Sequence, residues 1–262
     1  MGGKRAVAPV ARVPASERDV AVPILMYHLV NDPPAGGQGL PELYVAKSDF
    51  AGQMRWLKAQ RYSAVTEQQL YDLWRRGIAL PRRPVVISFD DGYRSVWANA
   101  LPVMKREGLR GVLNLEISEL SQPDQGGITP EQVRALLAAG WELDSHTMTH
   151  PDLTMLDDAT LRQELAGPRR AIRRQFGRPA RFFCYPAGRY DPRVVAAVKR
   201  AGYLGATTTN FGNAGPGQLF VMNRVRINRS DGVDGFVQKL TALRGQGAAT
   251  APSSFGGAGG GA

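Results

Sequence analysis

The stretch PVVISFDDG, residues 84–92, decides the fold, because an apolar run leads directly into two carboxylates and a glycine. A short continuous apolar run is typical of a strand that is buried on both faces of a parallel sheet. Outward from it, segments with helical spacing alternate with further short runs, namely VPILMYHLV (22–30), GVLNLEIS (111–118), WELDS (141–145), RFFCYP (181–186) and LGATTT (204–209). This alternation predicts an α/β fold whose mostly parallel sheet is flanked by helices and is either open or closed into a barrel.

The two ends of the chain differ in composition from its middle. Residues 1–20 and 245–262 are rich in small and polar residues, a composition that cannot offset the entropy of ordering, so we expect both to be disordered. The chain has 262 residues, 43% of them apolar, and no linker-like break or repeat interrupts it between these ends. We therefore predict a single domain over residues 21–244.

Charge and cysteine content narrow the functional classes. The single cysteine, Cys184, excludes an internal disulfide. The net charge of +10 is compatible with nucleic acid, an anionic surface or an arginine-rich soluble protein, and the scattered arginines without interleaved aromatic residues favour the last. No apolar run is long enough to span a membrane, and the first residues lack the apolar core of an export signal. We expect a monomer without a nucleic-acid partner or a transmembrane segment, and as written a cytoplasmic one.

Reactive residues follow several of the apolar runs. Asp90, Asp91 and Gly92 come after ISF, His146 closely follows WEL, and His28 follows ILMY. The carboxyl ends of parallel strands meet at one rim of the sheet, which is where such folds place their functional sites. We therefore expect these side chains to share one site.

The paired aspartates are costly unless a cation or a shared proton relieves their repulsion. The glycine after them allows a sharp turn that brings both carboxylates to one pocket. A turn followed by a helix cap is the alternative interpretation of the same residues.

The histidines supply the second half of the pattern. His146 and His150 are four residues apart in HTMTH, so on a helical turn both imidazoles would face one ion, and two histidines with a carboxylate are a common zinc ligand set. The alternative is that one caps a turn and the other decorates the surface. His28 is either a core histidine or a general acid for a nitrogen leaving group.

Taken in order, SFDDG (88–92), HTMTH (146–150) and YPAG (185–188) resemble the first three motifs of the polysaccharide deacetylases, carbohydrate esterase family four, also called the NodB-homology family. The opening VPILMYH resembles the branch that acts on cell-surface poly-N-acetylglucosamine. The resemblance covers about residues 22 to 230. It implies a distorted (β/α) barrel with about seven parallel strands.

The resemblance also implies roles for individual residues. Asp91, His146 and His150 would hold one divalent metal ion, for which the ligand types favour zinc over cobalt, nickel or iron. Asp90 would be the general base, His28 the general acid, and the backbone N–H of Ala187 a donor to the oxyanion. The implied substrate is a polysaccharide of N-acetylglucosamine, such as poly-N-acetylglucosamine, a chitin-like polymer or the peptidoglycan glycan.

The chain departs from the family pattern in places. Cys184 stands where the third motif often has an arginine, so the residue that orients Asp90 could be Arg181, Arg189 or Arg224, of which we favour Arg224. The Asp-Trp pair of a fourth motif is not evident, and Asp144 replaces a residue that is commonly glycine. We group Arg224 with the predicted substrate-binding residues Tyr27, Tyr185 and Tyr190, although each tyrosine has a packing alternative.

Three other functions remain possible at this level. A non-catalytic glycan-binding protein would lack the base or the ligands, whereas all are present here. Another metal hydrolase, such as a phosphoesterase, would need further ligands or a basic phosphate cradle, and a nucleic-acid binder rests on charge alone. The implied substrate lies outside the cytoplasm although no signal peptide is visible, so localisation stays open.

Overall fold

The core of the molecule is a closed barrel of parallel strands, seen in a computed structural model that describes residues 11–33, 40–122, 124 and 126–245. In chain order the strands are β1 (Ile24–Tyr27), β2 (Leu29–Val30), β3 (Tyr44–Val45), β4 (Ser63–Ala64), β5 (Pro84–Phe89), β6 (Val112–Leu115), β7 (Glu142–Ser145), β8 (Phe182–Cys184), β9 (Gly205–Phe211) and β10 (Met222–Arg226). The sheet order is β1-β10-β9-β8-β7-β6-β5, and β1 also pairs with β5, which closes the ring. β4 pairs with the start of β5, and β2 with β3. The predicted single-domain barrel of about seven parallel strands is confirmed.

Helices surround the barrel between its strands. They are α1 (Lys47–Ala59), α2 (Glu67–Arg76), α3 (Leu101–Glu107), α4 (Pro130–Ala138), α5 (Asp158–Phe176), α6 (Pro192–Arg200) and α7 (Gly232–Ala242). α2 and α4 begin at capping boxes, in which Thr66 and Thr129 accept from the N3 backbone N–H and the N3 glutamine side chain accepts in return. α3 follows a π-helical turn at Val96–Ala100, and its Pro102 lacks the N–H that a regular helix would use there.

The barrel strands are buried on both faces. α2 covers the inward residues at one end of the barrel, and the other helices cover the outward residues. The inward residues at the strand starts, Ile24, Val86, Val112, Phe182 and Met222, cluster with Leu70, Leu73 and Trp74 of α2. The residues that alternate with them, such as Leu25, Ile87, Leu113, Phe183 and Val225, belong to the outer core under the other helices. Along each strand the side chains alternate between the two faces, so one apolar run serves both cores.

Nearer the carboxyl ends, the inward positions become polar. Ser88, Asn114, Cys184 and Arg224 lie two positions beyond the apolar layer, Asp144 pairs with Asn114 in the sheet, and all five are buried. Buried polar groups need hydrogen-bond partners, so these side chains bond to one another and to the residues at the carboxyl ends of the strands.

Residues 11–20 contact the rest of the fold, whereas the composition led us to expect disorder over residues 1–20. Val13 N–H donates to the Gly77 carbonyl at 2.8 Å, and the Trp74 indole N–H donates to the Val20 carbonyl at 2.9 Å. Val13 and Val20 also pack against the α2 core, and this apolar contact offsets the ordering entropy. The expectations for residues 1–10 and 246–262 lie outside the described residues. Among the described helices, none combines the length and hydropathy that crossing a bilayer requires.

Candidate active site

Asp91, His146 and His150 converge at the carboxyl end of the barrel. One ligand atom from each lies within 4.8 Å of the others. His146 Nε2 is 3.3 Å and His150 Nε2 is 3.7 Å from Asp91 Oδ1. The structure thus brings together the three residues that were predicted to hold a metal.

The hydrogen bonds of His146 define which of its nitrogens is free. Its Nδ1 lies 2.8 Å from the Cys184 carbonyl, which can only accept, so Nδ1 carries a proton, and when the ring is neutral its lone pair is at Nε2. This lone pair faces Asp91 Oδ1, which is buried and has no hydrogen-bond partner among the described residues. A divalent ion between these two atoms would satisfy both, so the residues fit such an ion.

The HTMTH segment is a loop after β7, so the expected helical turn is wrong. Thr147 and His150 have φ values of 72° and 56°, in the left-handed region. This region costs an L-residue roughly 1–2 kcal/mol, and a β-branched threonine there is unusual. The two imidazoles meet, with ring centroids 4.7 Å apart, because the backbone reverses between them rather than because they share a helix face.

Asp90 is held by a buried arginine. Arg224 donates from Nη1 to Asp90 Oδ1 and from Nη2 to Oδ2, both at 2.8 Å, and Asn114 Nδ2 donates to Oδ1 at 2.9 Å. Burial of Asp90 favours its neutral form, but the Arg224 guanidinium outweighs this and holds the pKa of Asp90 far below its usual range. Asp90 is therefore a fixed carboxylate.

Only one of the three arginines that were candidates to orient Asp90 contacts it. Arg181 donates to Gln68 Oε1 at 2.6 Å, and Arg189 pairs with Asp152 at 2.8 Å, both at exposed positions away from Asp90. Arg224 is 1% exposed and bonds Asp90, so its placement among substrate-binding residues is wrong. Cys184 completes the cluster, since Arg224 Nη2 donates to its sulfur at 3.2 Å.

His28 lies beside Asp90 at the same rim. Its Nε2 is 4.0 Å from Asp90 Oδ2, and its side chain is 13% exposed. Burial lowers the pKa of His28, although the two aspartates oppose that effect. The group is thus accessible to a ligand and close to the fixed carboxylate.

Ala187 follows β8 in a strained turn. Its φ of 50° and ψ of 17° are left-handed, and it is exposed at the surface. The next residue, Gly188, also has positive φ, and a Cβ there would lie 2.0 Å from Thr209 Oγ1. Strain of this kind persists only where the surroundings enforce it, and it occurs most often at functional sites.

The tyrosines do not all face the site. Tyr27 and Tyr185 are fully buried, and their hydroxyls donate to Gln53 Oε1 at 2.7 Å and to the Phe220 carbonyl at 3.0 Å. Both are core residues, so their predicted role in substrate binding is wrong. Tyr190 is half-buried, its ring is tilted against that of Tyr185, and its hydroxyl accepts from Asn210 Nδ2 at 3.0 Å, so it can still meet a ligand.

Two residues of the site carry no obvious sequence pattern. Asn114 is the polar residue inside the apolar strand β6, and that interruption was the available indication. Glu164 lies in the middle of the polar helix α5, yet it is 8% exposed and binds the HTMTH loop. The neighbouring arginines and Gln163 mask it in the sequence.

Comparison with known proteins identifies the family to which the residues of this site belong. The family model described as polysaccharide deacetylase matches residues 77–206, which include both aspartates and both histidines of the site. The chain belongs to the polysaccharide deacetylase family. As a polysaccharide deacetylase it is an enzyme of the hydrolase class that acts on amide bonds, as the resemblance implied.

Three relatives show how far the similarity extends. The inferred polysaccharide deacetylase YxkH of Bacillus subtilis is 27% identical over 214 residues, which are 81% of this chain and 74% of YxkH. The poly-beta-1,6-N-acetyl-D-glucosamine N-deacetylase of Staphylococcus aureus is 22% identical over 60% of this chain and 58% of its own. The crystal structure of a polysaccharide deacetylase from Bacillus cereus superposes with a TM-score of 0.75 at 28% identity, over 84% of this chain and 69% of that one.

Proposed function

We propose that this polysaccharide deacetylase is a metal-dependent enzyme that removes N-acetyl groups from a polysaccharide of N-acetylglucosamine. The observation that carries the proposal is Asp91 Oδ1, which has no hydrogen-bond partner among the described residues and faces Nε2 of both His146 and His150. Beside it, Asp90 is fixed by Arg224 and is close to His28. A metal position next to one carboxylate and one imidazole is what hydrolysis of an amide requires.

Asp91, His146 and His150 would hold the metal, and their oxygen and imidazole donors favour Zn²⁺, with Co²⁺, Ni²⁺ or Fe²⁺ as alternatives. When bound, a divalent ion polarises the acetyl carbonyl and makes water a better nucleophile. The Cys184 carbonyl keeps the His146 ring in the required tautomer.

The other residues of the chain would move protons and stabilise charge. Asp90, kept ionised by Arg224, accepts the proton of the attacking water. The backbone N–H of Ala187 donates to the oxygen that gains negative charge, and His28 donates a proton to the departing nitrogen.

The choice of polymer rests on the relatives. The Staphylococcus aureus relative is named for a β-1,6-linked polymer of N-acetylglucosamine, which makes that linkage the first to test. Chitin-like β-1,4 oligomers and the peptidoglycan glycan are the other members of the same substrate class. Tyr190 is the tyrosine of the predicted set that remains able to contact a sugar.

The test is acetate release from β-1,6- and β-1,4-linked N-acetylglucosamine oligomers before chelation, after it, and after Zn²⁺ is restored. Asp90→Asn should lower turnover by about 10²–10⁴-fold and keep the bound metal. It also leaves Arg224 buried without its counter-ion, which costs about 3–5 kcal/mol, so folding must be checked by thermal unfolding. Asp234→Asn, at an exposed position on α7, is the matched control.

Each outcome has a distinct meaning. Acetate release that disappears on chelation and returns with Zn²⁺ supports the proposal. Full activity of a folded Asp90→Asn enzyme would show that Asp90 is not the base. One tightly bound metal without acetate release from any oligomer would favour a non-catalytic glycan-binding protein or a different metal hydrolase.

A further inference from the structure

The loop between His146 and His150 adopts a backbone that its own residues disfavour. Two of its residues, Thr147 and His150, have positive φ. One hydrogen bond inside the loop helps to stabilise this backbone, since His150 N–H donates to Thr147 Oγ1 at 2.9 Å. The position of His150 also depends on contacts from outside the loop.

Those contacts converge on one carboxylate of α5. Glu164 Oε2 accepts from the N–H groups of Met148 and Thr149 at 2.7 and 3.2 Å, and Oε1 accepts from Thr149 Oγ1 at 2.9 Å. Glu164 is 8% exposed, and no lysine or arginine in the described part of the chain lies within 4.0 Å of it. All of its observed bonds therefore go to this loop.

The helix also approaches the loop closely at a second point. A Cβ at Gly167 would lie 3.0 Å from Met148 Sδ, so a larger residue would push the loop away from α5. On its other side, the loop accepts hydrogen bonds at the carbonyls of Thr147 and Met148 from the N–H groups of Ile117 and Ser118, at 3.2 and 2.9 Å. The loop is thus held between the segment after β6 and the Glu164 carboxylate.

We propose that Glu164 is a positioning residue for the metal ligand His150. By fixing the two N–H groups immediately before His150, the carboxylate sets the direction in which this imidazole leaves the backbone. The inference rests on the proposed function, because it assumes that His150 binds the metal. Partners one step removed from the metal commonly change its affinity by about 10- to 100-fold.

Two substitutions separate positioning from general packing. Glu164→Ala removes all three acceptor contacts and should weaken Zn²⁺ binding by about 10- to 100-fold. Glu164→Gln retains an oxygen that can accept from the two N–H groups. Its amide N–H can donate to the Thr149 hydroxyl, because a hydroxyl accepts as well as donates. We expect Glu164→Gln to restore most of the affinity.

The experiment measures the Kd for Zn²⁺ by competition with a chromophoric chelator at one fixed pH, without substrate. His150→Ala serves as the reference for a lost ligand, and Glu131→Ala, an exposed glutamate of α4, as the matched control. Thermal unfolding in excess chelator reports the stability of the metal-free protein. The expected result is a weaker Kd for Glu164→Ala, rescue by Glu164→Gln and no change for Glu131→Ala.

Other results overturn the inference. If the wild type binds Zn²⁺ tightly and Glu164→Ala binds it equally well, Glu164 does not position His150. The same conclusion follows if Glu164→Gln loses as much affinity as Glu164→Ala. If Glu164→Ala does not fold, Glu164→Asp makes the same test, because it keeps the charge and withdraws it by one methylene. A wild type that binds no Zn²⁺ contradicts the proposed function instead.

Discussion

Glu67 places a carboxylate inside the barrel, where none of the described residues donates a hydrogen bond to it. It is the first residue of α2 and is 1% exposed, and neither of its oxygens has a hydrogen-bond partner among the described residues. The charge of the buried Asp144 carboxylate acts on Glu67. Among the described residues Asp144 Oδ2 has no hydrogen-bond partner either, whereas Oδ1 accepts from the Arg181 and Phe182 N–H groups at 2.8 Å. Burial raises the pKa of Asp144 to about 7, but those two bonds oppose the rise, whereas no such bond opposes it at Glu67, so Glu67 is the better place for a proton.

The effect of burial on Glu67 is larger than the effects that favour its ionised form, so Glu67 is protonated. Burial, followed by the charge of Asp144, raises the pKa of Glu67 well above its ordinary 4.5. The N-terminus of α2 favours the ionised form by only about 0.3–1 kcal/mol, less than one pKa unit, whereas full burial shifts a carboxyl by up to about 3–5 units. Arg224 has no donor left for Glu67, because its five N–H groups go to Thr208, Ser88, Cys184 and, twice, Asp90.

Glu67→Gln should therefore be more stable than the wild type by an amount that grows with pH. Above pH 4.5 the unfolded wild type releases the Glu67 proton while the folded protein keeps it, so the free energy of unfolding falls as pH rises towards the folded pKa. The slope is about 1.4 kcal/mol per pH unit, or about 2.7 kcal/mol two units above 4.5. Glutamine keeps the shape of the side chain but does not ionise.

The assay is urea unfolding of both proteins between pH 4.5 and 6.5, in chelator so that metal binding adds no pH dependence. Glu131→Gln tests the substitution itself, because Glu131 is also in the first turn of a helix but is exposed. It should show no gain in stability that grows with pH. A constant difference between Glu67→Gln and the wild type across this range would refute the argument.

Two further predictions test the site and the core. His28→Ala should retain bound Zn²⁺ and lose about 10²–10⁴-fold in acetate release, because it removes the proposed acid; normal release would make His28 structural. Tyr27→Phe leaves Gln53 Oε1 without its donor and should lower the free energy of unfolding by about 1–3 kcal/mol, with KM and kcat unchanged. A raised KM with unchanged stability would return Tyr27 to the substrate groove.

Much of the fold could be predicted because its determinants are local. The strand PVVISF is apolar at every position but one, and such strands need helices on both sides, which the capped segments supply. The order of reactive residues after the strands also predicted the rim that carries Asp91 and His146, since parallel strands present their carboxyl ends together.

What could not be predicted depends on contacts far apart in sequence. Three arginines were chemically equivalent candidates, and only the barrel places Arg224 of β10 against Asp90. Tyr27 belongs to the core because Gln53 of α1 reaches its hydroxyl, which no pattern around Tyr27 indicates. The HTMTH spacing fits a helix, but Glu164 stabilises a loop there instead, and long-range bonds override local preference.

Closure of the barrel and assembly of the proposed acid and base are the same event. β1, which leads into His28, pairs with β5, which leads into Asp90, and also with β10, which carries Arg224. In an open sheet β1 would be an edge strand with one of these neighbours, and either the carboxylate or its arginine would lie away from His28. The sequence left the open and closed sheets as alternatives, and the ionised Asp90 beside His28 requires the closed one. A substitution that weakens the β1–β10 pairing should therefore disturb the acid–base pair before it disturbs Asp91, His146 and His150, which follow β5 and β7.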